Sequence, residues 1–312
     1  MVLLRDGHGG AGPGARHRPA VPFGRTASRP GRGLRYVAAV ETDLSLPDGR
    51  TLHVYDTGSG TLPVFWHHGT PNIGTPPAPL FPASDPLGIR WLSYDRPGYG
   101  GSTPRPGRDI ASAAGDVRAI ADALGIDRFA VAGHSGGGAH ALACGALLGE
   151  RVRAVLSISG LAPYGAEGLD WFAGISPVGE ASLRAAVAGR AAKERYEATA
   201  TEDDPGFVQS DLDALSGEWS WFMSVVGPAM AHGPAALIDD DLAGVGPWGF
   251  DPADVAVPVL VLHGELDRVV PVGHGVWLAG RCPDAELRIE PGAGHISVLR
   301  AAPAALEWLA RS

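Results

Sequence analysis

The stretch Gly133-His134-Ser135-Gly136-Gly137 constrains this chain more than any other. An apolar run, Arg128 to Ala132, precedes it, and a segment of small residues, Gly138 to Leu148, follows. That order reads as a strand, a sharp turn and a helix. A serine at the top of such a turn is held in an unfavourable backbone conformation with its hydroxyl exposed. The residues two before and two after it must be small, so that strand and helix can approach. The pattern does not decide alone, because 45 of the 312 residues are glycine. The rest of the chain must supply the groups that make a serine reactive.

Composition bounds the classes. Hydrophobic content of 45% with 19% charged residues places the chain among globular proteins. No run approaches the roughly 18 apolar residues that span a bilayer, so no membrane partner is expected. Cys144 and Cys282 are too few for a disulfide framework or a metal cage, which points to a reducing, cytoplasmic setting. Cys144 reads as a small buried hydrophobe. The net charge of −9 is uneven: residues 1–36 carry seven Arg against Asp6, and residues 161–254 carry 16 acidic against four basic residues. No basic face is indicated outside the N-terminal stretch, so nucleic acid is not an expected partner.

Residues 1–35 are Gly-, Pro- and Arg-rich. Their apolar start, Val2 to Leu4, is too short for a signal-peptide core. A transit peptide or a nucleic-acid arm would share this composition, and the simplest reading is a disordered tail or an early start codon. From Val40 two alternating runs flank Pro47-Asp48-Gly49 and predict a β-hairpin. Short apolar strands follow at 63–66 and 89–94, then a helix over about 109–124, the Ser135 strand and helix, and a strand at 152–158. The alternation stops for about 95 residues. It resumes with a strand at 257–263, a helix near 273–281, a strand at 285–290 and a helix from about His295 to Ala310. Such alternation predicts an α/β fold with a mostly parallel sheet covered on both faces. A gap of that length is too long for a plain loop. It predicts a helical insertion, 161–254, in a core made of 36–160 and 255–312.

A serine hydroxyl needs a base, and the base needs an orienting acid. In sheets of this kind all three belong at the carboxyl ends of strands. Two late strand ends offer candidates: His263-Gly264-Glu265-Leu266-Asp267 and Gly292-Ala293-Gly294-His295. With His68-Gly69-Thr70-Pro71, the turn Asp95 to Ser102 and the Ser135 elbow, these motifs resemble the α/β-hydrolase superfamily. The likeness is to its serine-nucleophile, cap-bearing members, over about residues 37–311. The chain order Ser135, Asp267, His295 is the order of that family.

The resemblance implies roles. Ser135 would be the nucleophile, His295 the base and Asp267 the acid. Glu265 is the rival acid, set aside because the family places the acid three residues after the glycine of His-Gly-x-x-Asp. The strand end before the insertion, 157–162, holds no carboxylate. The backbone N–H of Gly136 and that of Thr70 would form the oxyanion hole, since Pro71 has no N–H. Asp95-Arg96 resembles the family's structural turn. His68 is expected to shape the oxyanion loop or touch substrate, His134 to point away from the serine, and His140 to lie in the core. Adjacent His67 and His68 point to opposite faces of a strand, and no metal or other cofactor is expected.

The insertion holds Trp171, Trp219, Trp221, Trp248, Met223 and Met230. Most of these read as its own core. Trp219, Trp221, Phe222 and Met223 are candidates for a pocket over the serine. Its acidic surplus is expected mostly on solvated faces and disfavours strongly anionic substrates. The leading expectation is hydrolysis of a small to medium carboxylic ester through an acyl-enzyme, with a small molecule as the partner. Oligomeric state, monomer or dimer, is open. One alternative resembles proline iminopeptidases, whose acidic cap holds a substrate ammonium. The chain departs from that pattern at Thr70, Asn72 and Gly136. Others are a perhydrolase side activity and a low-turnover ligand-binding homologue. Aspartate-nucleophile relatives are excluded by Ser135.

Overall fold

The computed structural model describes residues 39–200 and 205–312. The tail expected at 1–35 lies outside the described residues. Eight strands form one sheet: β1 (Val40–Ser45), β2 (Thr51–Asp56), β3 (Leu62–His67), β4 (Ile89–Tyr94), β5 (Phe129–His134), β6 (Val152–Ile158), β7 (Val259–Gly264) and β8 (Ala285–Glu290). Their spatial order is β1-β2-β4-β3-β5-β6-β7-β8. The pairs β1–β2 and β2–β4 are antiparallel, and the others are parallel. The first pair is the expected hairpin. Gly49 turns it at φ 85°, a conformation glycine adopts without penalty, and Leu46 N–H donates to Arg50 O at 2.8 Å.

The sheet is covered on both faces, as its unbroken apolar strands require. Side chains alternate across each strand, so neighbours in sequence enter different cores. Val64, Trp66, Ala130, Leu156, Leu260 and Leu262 pack with Leu306 and Leu309 of α10 (Ala302–Arg311). Phe65, Leu92, Val131, Val155, Val259 and Val261 pack on the opposite face. There they meet α2 (Ser112–Ala123), α3 (Gly136–Leu147) and α9 (Val272–Arg281) through Val117, Ile120, Leu142 and Leu278. Each such fully buried aliphatic side chain contributes about 1.5–3 kcal/mol relative to exposure. A short helix, α1 (Phe81–Ser84), precedes β4.

Between β6 and β7 the chain leaves the sheet, although the two strands pair directly, with Val155 opposite Val259. The excursion carries α4 (Pro177–Val187), α5 (Arg190–Thr199), α6 (Gln209–Ser216), α7 (Phe222–Ala229) and α8 (Ala235–Val245). It leaves from the carboxyl end of β6, on the side of the sheet where the candidate residues sit, and returns to the amino end of β7.

One element differs from the sequence expectation. The helix expected from His295 begins seven residues later. Residues Ser297–Ala301 make a 3₁₀ turn, and α10 starts at Ala302 with Pro303 in its first turn. Proline has no N–H to give and suits that position. The N–H groups of residues 295–297 are instead engaged by a carboxylate from the insertion, described below.

Candidate active site

Ser135 stands between β5 and α3 at φ 57° and ψ −128°. A non-glycine residue held there costs on the order of 1–3 kcal/mol, so the surroundings must enforce it. The Ser135 N–H donates to Ile158 O at 2.9 Å. A Cβ on Gly133 would strike the carbonyl of Gly137, and one on Gly137 would strike that of His67. Strands β3 and β5 and helix α3 thus converge where no side chain fits. The serine is left half-exposed.

His295 and Asp267 meet. His295 Nδ1 lies 2.8 Å from Asp267 Oδ2, and both residues are buried. Asp267 Oδ1 accepts the N–H groups of Val269 and Val270, each at 2.9 Å. These bonds fix the carboxylate, so Nδ1 carries the proton and Nε2 keeps a lone pair. Burial alone would raise the Asp267 pKa, but the charge and hydrogen bond of His295 hold it below the ordinary value. Burial alone would lower that of His295. The charge and hydrogen bond of Asp267, with a further contribution from Asp211, outweigh burial and raise it. Glu265, the rival acid, is exposed and instead accepts the Gly292 N–H at 3.0 Å. Among the described residues the Ser135 hydroxyl has no hydrogen-bond partner, so the Ser135–His295 link of a relay is not closed here.

Across from this pair lies the loop after β3. A Cβ on Gly136 would stand 2.6 Å from Thr70 Oγ and 3.9 Å from Thr70 N, so the two proposed oxyanion donors are neighbours. Asp240, on α8, holds this loop. Its carboxylate accepts from Thr70 Oγ at 2.6 Å, Tyr99 Oη at 2.9 Å, and Arg96 Nη2 at 2.6 Å. Arg108 Nη1 adds an ion pair at 2.6 Å. Burial would raise the Asp240 pKa, but the two guanidinium groups drive it well below the ordinary value. Arg96 also donates to Thr70 Oγ at 3.1 Å and to the Gly69 carbonyl at 3.0 Å.

His68 is fully engaged in this scaffold. Its Nδ1 lies 2.8 Å from Gly69 O, and its Nε2 accepts the Arg96 N–H at 3.0 Å. With both ring nitrogens used and the side chain buried, it shapes the loop and offers no group to a substrate. Asp95 accepts N–H bonds from Gly74 at 2.6 Å and Gly101 at 2.9 Å, a turn-holding role.

The four pocket candidates separate. Phe222 lies 5.8 Å, ring to ring, from His134. Trp219 and Trp221 stand behind Phe222 at 5.7 and 5.2 Å. Met223 is 57% exposed, on the solvent face of α7 opposite buried Val225, Val226 and Ala229. His134 turns its ring toward His295. Its ring lies 4.9 Å from that of His295, and its Nε2 donates to the His295 carbonyl at 2.9 Å. Burial, then the neighbouring His295, lowers its pKa to about 3, so it stays neutral. His140 is buried, as expected of a core residue.

Two site residues escaped sequence reading, Asp211 and Asp240. Both belong to the acidic insertion, whose charges are expected mostly on solvated faces. Asp211, Asp239 and Asp240 are in fact buried. A weak signal existed for Asp211: Gly294 precedes His295 because a Cβ there would strike the Asp211 carboxylate.

Among the described residues there is no group of three or more His, Cys, Asp or Glu side chains placed to hold a metal. No described helix is long and apolar enough to cross a membrane. A groove of about 620 Å³ lies between Tyr164, Phe250, Trp277 and Arg281, sharing no wall with Ser135, Asp267 or His295.

Residues 63–302 match the family model described as the alpha/beta hydrolase fold. The chain is 28% identical over 257 residues to a non-heme haloperoxidase of Rhodococcus erythropolis, covering 80% of this chain and 90% of that protein. It is 27% identical over 269 residues to a 2-hydroxy-6-oxononadienedioate/2-hydroxy-6-oxononatrienedioate hydrolase of Cupriavidus pinatubonensis, covering 81% and 88%. An esterase of Exiguobacterium antarcticum superposes with a TM-score of 0.64 at 20% identity, covering 88% of this chain and all of that one. The match in sequence, the eight-stranded sheet and the elbow at the head of α3 agree: the chain belongs to the α/β-hydrolase fold family.

Proposed function

We propose that this hydrolase cleaves small to medium carboxylic esters through an acyl-enzyme, with Ser135 as nucleophile, His295 as base and Asp267 as orienting acid. The observation that carries the reading is the buried His295–Asp267 pair at 2.8 Å, whose histidine ring lies 4.9 Å from that of His134, the residue before a serine held at φ 57°.

The steps follow from these groups. Ser135 Oγ attacks the ester carbonyl as His295 Nε2 takes its proton. The resulting oxyanion is held by the N–H groups of Gly136, at the head of α3, and Thr70. The imidazolium then gives that proton to the leaving alkoxide, and the alcohol departs. Water, deprotonated by His295, attacks the acyl-serine, and the acid leaves as Ser135 regains its proton. Asp267, held ionised, stabilises the imidazolium in both halves. In this reading α6–α8 cover the serine, and Phe222 borders the acyl group with Trp219 and Trp221 behind it.

The iminopeptidase alternative needs a cap carboxylate for a substrate ammonium. The buried and partly buried Asp residues of α6 and α8 already have partners. Asp211 takes backbone N–H groups, Asp240 takes Arg96 and Arg108, Asp241 takes Lys193 at 2.7 Å, and Asp239 takes Arg190. Esters are therefore preferred to N-terminal peptides. A panel of p-nitrophenyl esters beside proline p-nitroanilide tests this choice. Turnover of the esters is expected, and turnover of the anilide alone overturns it.

A further inference from the structure

We propose that Asp211, on insertion helix α6, is a positioning residue for His295, so that the insertion forms part of the scaffold of the base. The proposal rests on the reading of His295 as that base.

Five donors converge on the Asp211 carboxylate, which is 1% exposed. Oδ1 accepts from Ile296 N–H at 2.9 Å and from the N–H and hydroxyl of Ser297, both at 2.8 Å. Oδ2 accepts from His295 N–H at 3.1 Å and Val208 N–H at 3.2 Å. Only the Val208 bond serves α6 itself, as an ordinary cap at its N-terminus. The other four reach 85 or so residues along the chain to the segment that carries His295. Gly294 makes room for them, since any Cβ there would strike Oδ2.

The result is a three-point hold on His295. Asp211 takes its N–H, His134 takes its carbonyl at 2.9 Å, and Asp267 takes Nδ1 at 2.8 Å. These anchors come from α6, from β5 and from the loop before α9. Only Nε2, the atom that must meet the Ser135 proton, is left without a partner among the described residues. The charged or titratable groups facing His295 are Asp267, with His263 3.7 Å behind it, His134 and Asp211. His134 is neutral, and Asp211 is met by dipoles rather than cations. Its negative charge therefore acts on the imidazolium formed during turnover.

The test uses Asp211→Asn, which keeps the shape and removes the charge, and Ser297→Ala, which keeps the charge and removes one donor together with the acceptor of the Gly294 N–H. Each is measured against wild type for kcat, KM and the pH profile of kcat/KM on p-nitrophenyl acetate, with a urea melt of each. Displacement of a catalytic group by about 1 Å can cost about 100-fold, so Asp211→Asn is expected to lose up to about that factor in kcat with little change in KM. Its acid limb should move to lower pH, because the His295 pKa falls when the carboxylate is neutralised. Ser297→Ala should lose less kcat and keep the limb. A lowered melt with wild-type kcat and limb in Asp211→Asn reduces the residue to a helix cap and overturns the proposal. If Asp211→Asn does not fold, unchanged kcat in Ser297→Ala overturns it. His295→Ala separates the levels. Loss of hydrolysis there, with wild-type behaviour in the other two, sinks the positioning role alone. Hydrolysis persisting in His295→Ala sinks the underlying reading and the proposal together.

Discussion

The two sides of the site are each fastened by one buried carboxylate from the same insertion, but in different ways. On the oxyanion side, Asp240 meets two guanidinium groups, Arg96 and Arg108, and through them holds Thr70 and the carbonyls of the loop. On the base side, Asp211 meets backbone N–H groups and one hydroxyl. The first arrangement is a buried ion cluster in which two guanidinium groups face one carboxylate, so the negative charge of Asp240 is fully compensated and its part is to fix geometry. The second leaves its charge uncompensated by any cation, beside a histidine that must become one. The insertion thus contributes one buried carboxylate to the loop after β3 and one to the segment that carries His295.

That contrast can be broken by substitution. Asp267→Asn should cost about 10⁴-fold in kcat, because an amide reverses the tautomer that Asp267 enforces. Glu265→Gln should leave kcat within a factor of about two, as expected of an exposed surface change. The reverse result, read on any hydrolysed ester, would reassign the acid. Asp240→Asn should destabilise the protein by about 3–5 kcal/mol in urea melts, because Arg96 and Arg108 would be left buried without their counter-charge. The folded-state pKa of Asp240 is depressed, so its contribution is present above the ordinary carboxylate range and is lost only as the pH falls through the depressed value. Wild type should hold its melt down to about pH 4 as far as this group is concerned.

Gly136→Ala keeps its backbone N–H but should lower kcat by about 10²-fold, the cost of shifting the Thr70 loop by about 1 Å. The new Cβ would lie 2.6 Å from a Thr70 hydroxyl that Asp240 and Arg96 hold in place. Adding Thr70→Ala should recover part of that loss, since the remaining Cβ would be 3.5 Å away. Failure to recover would mean that the clash with the Thr70 hydroxyl is not the cause of the loss. The smallest effect is on pH. With the His295 pKa raised, the acid limb of kcat/KM should lie above the ordinary histidine value of about 6.5 and activity should rise through it. A limb below that value would contradict the Asp267 and Asp211 contributions.

Most of the fold was legible because each strand announces itself by a short apolar run and each motif sits at a strand end. The elbow glycines, the hairpin turn and the direct β6–β7 pairing across the excursion all follow from local sterics and alternation. The contact between His295 and Asp267 was legible in order, although only the structure shows that Asp267, and not Glu265 two residues away, meets the imidazole. The buried carboxylates were not legible. Nothing local distinguishes Asp211 or Asp240 from the other acidic residues of the insertion, and their partners are 84 to 86 and 132 to 170 residues away. The contacts of His134 were hidden for a related reason: the turn fixes its backbone, but its ring meets His295 and Phe222, which arrive from distant segments. The 3₁₀ turn at Ser297–Ala301 was hidden because the Asp211 bonds that hold it come from outside the segment.

The central claim is that Ser135 is the nucleophile of an acyl transfer. It is tested most directly by treating wild type and Ser135→Ala with a fluorophosphonate probe and locating the adduct by peptide mass. The account predicts one adduct, on Ser135, in wild type and none in the variant; equal labelling of both proteins would contradict it.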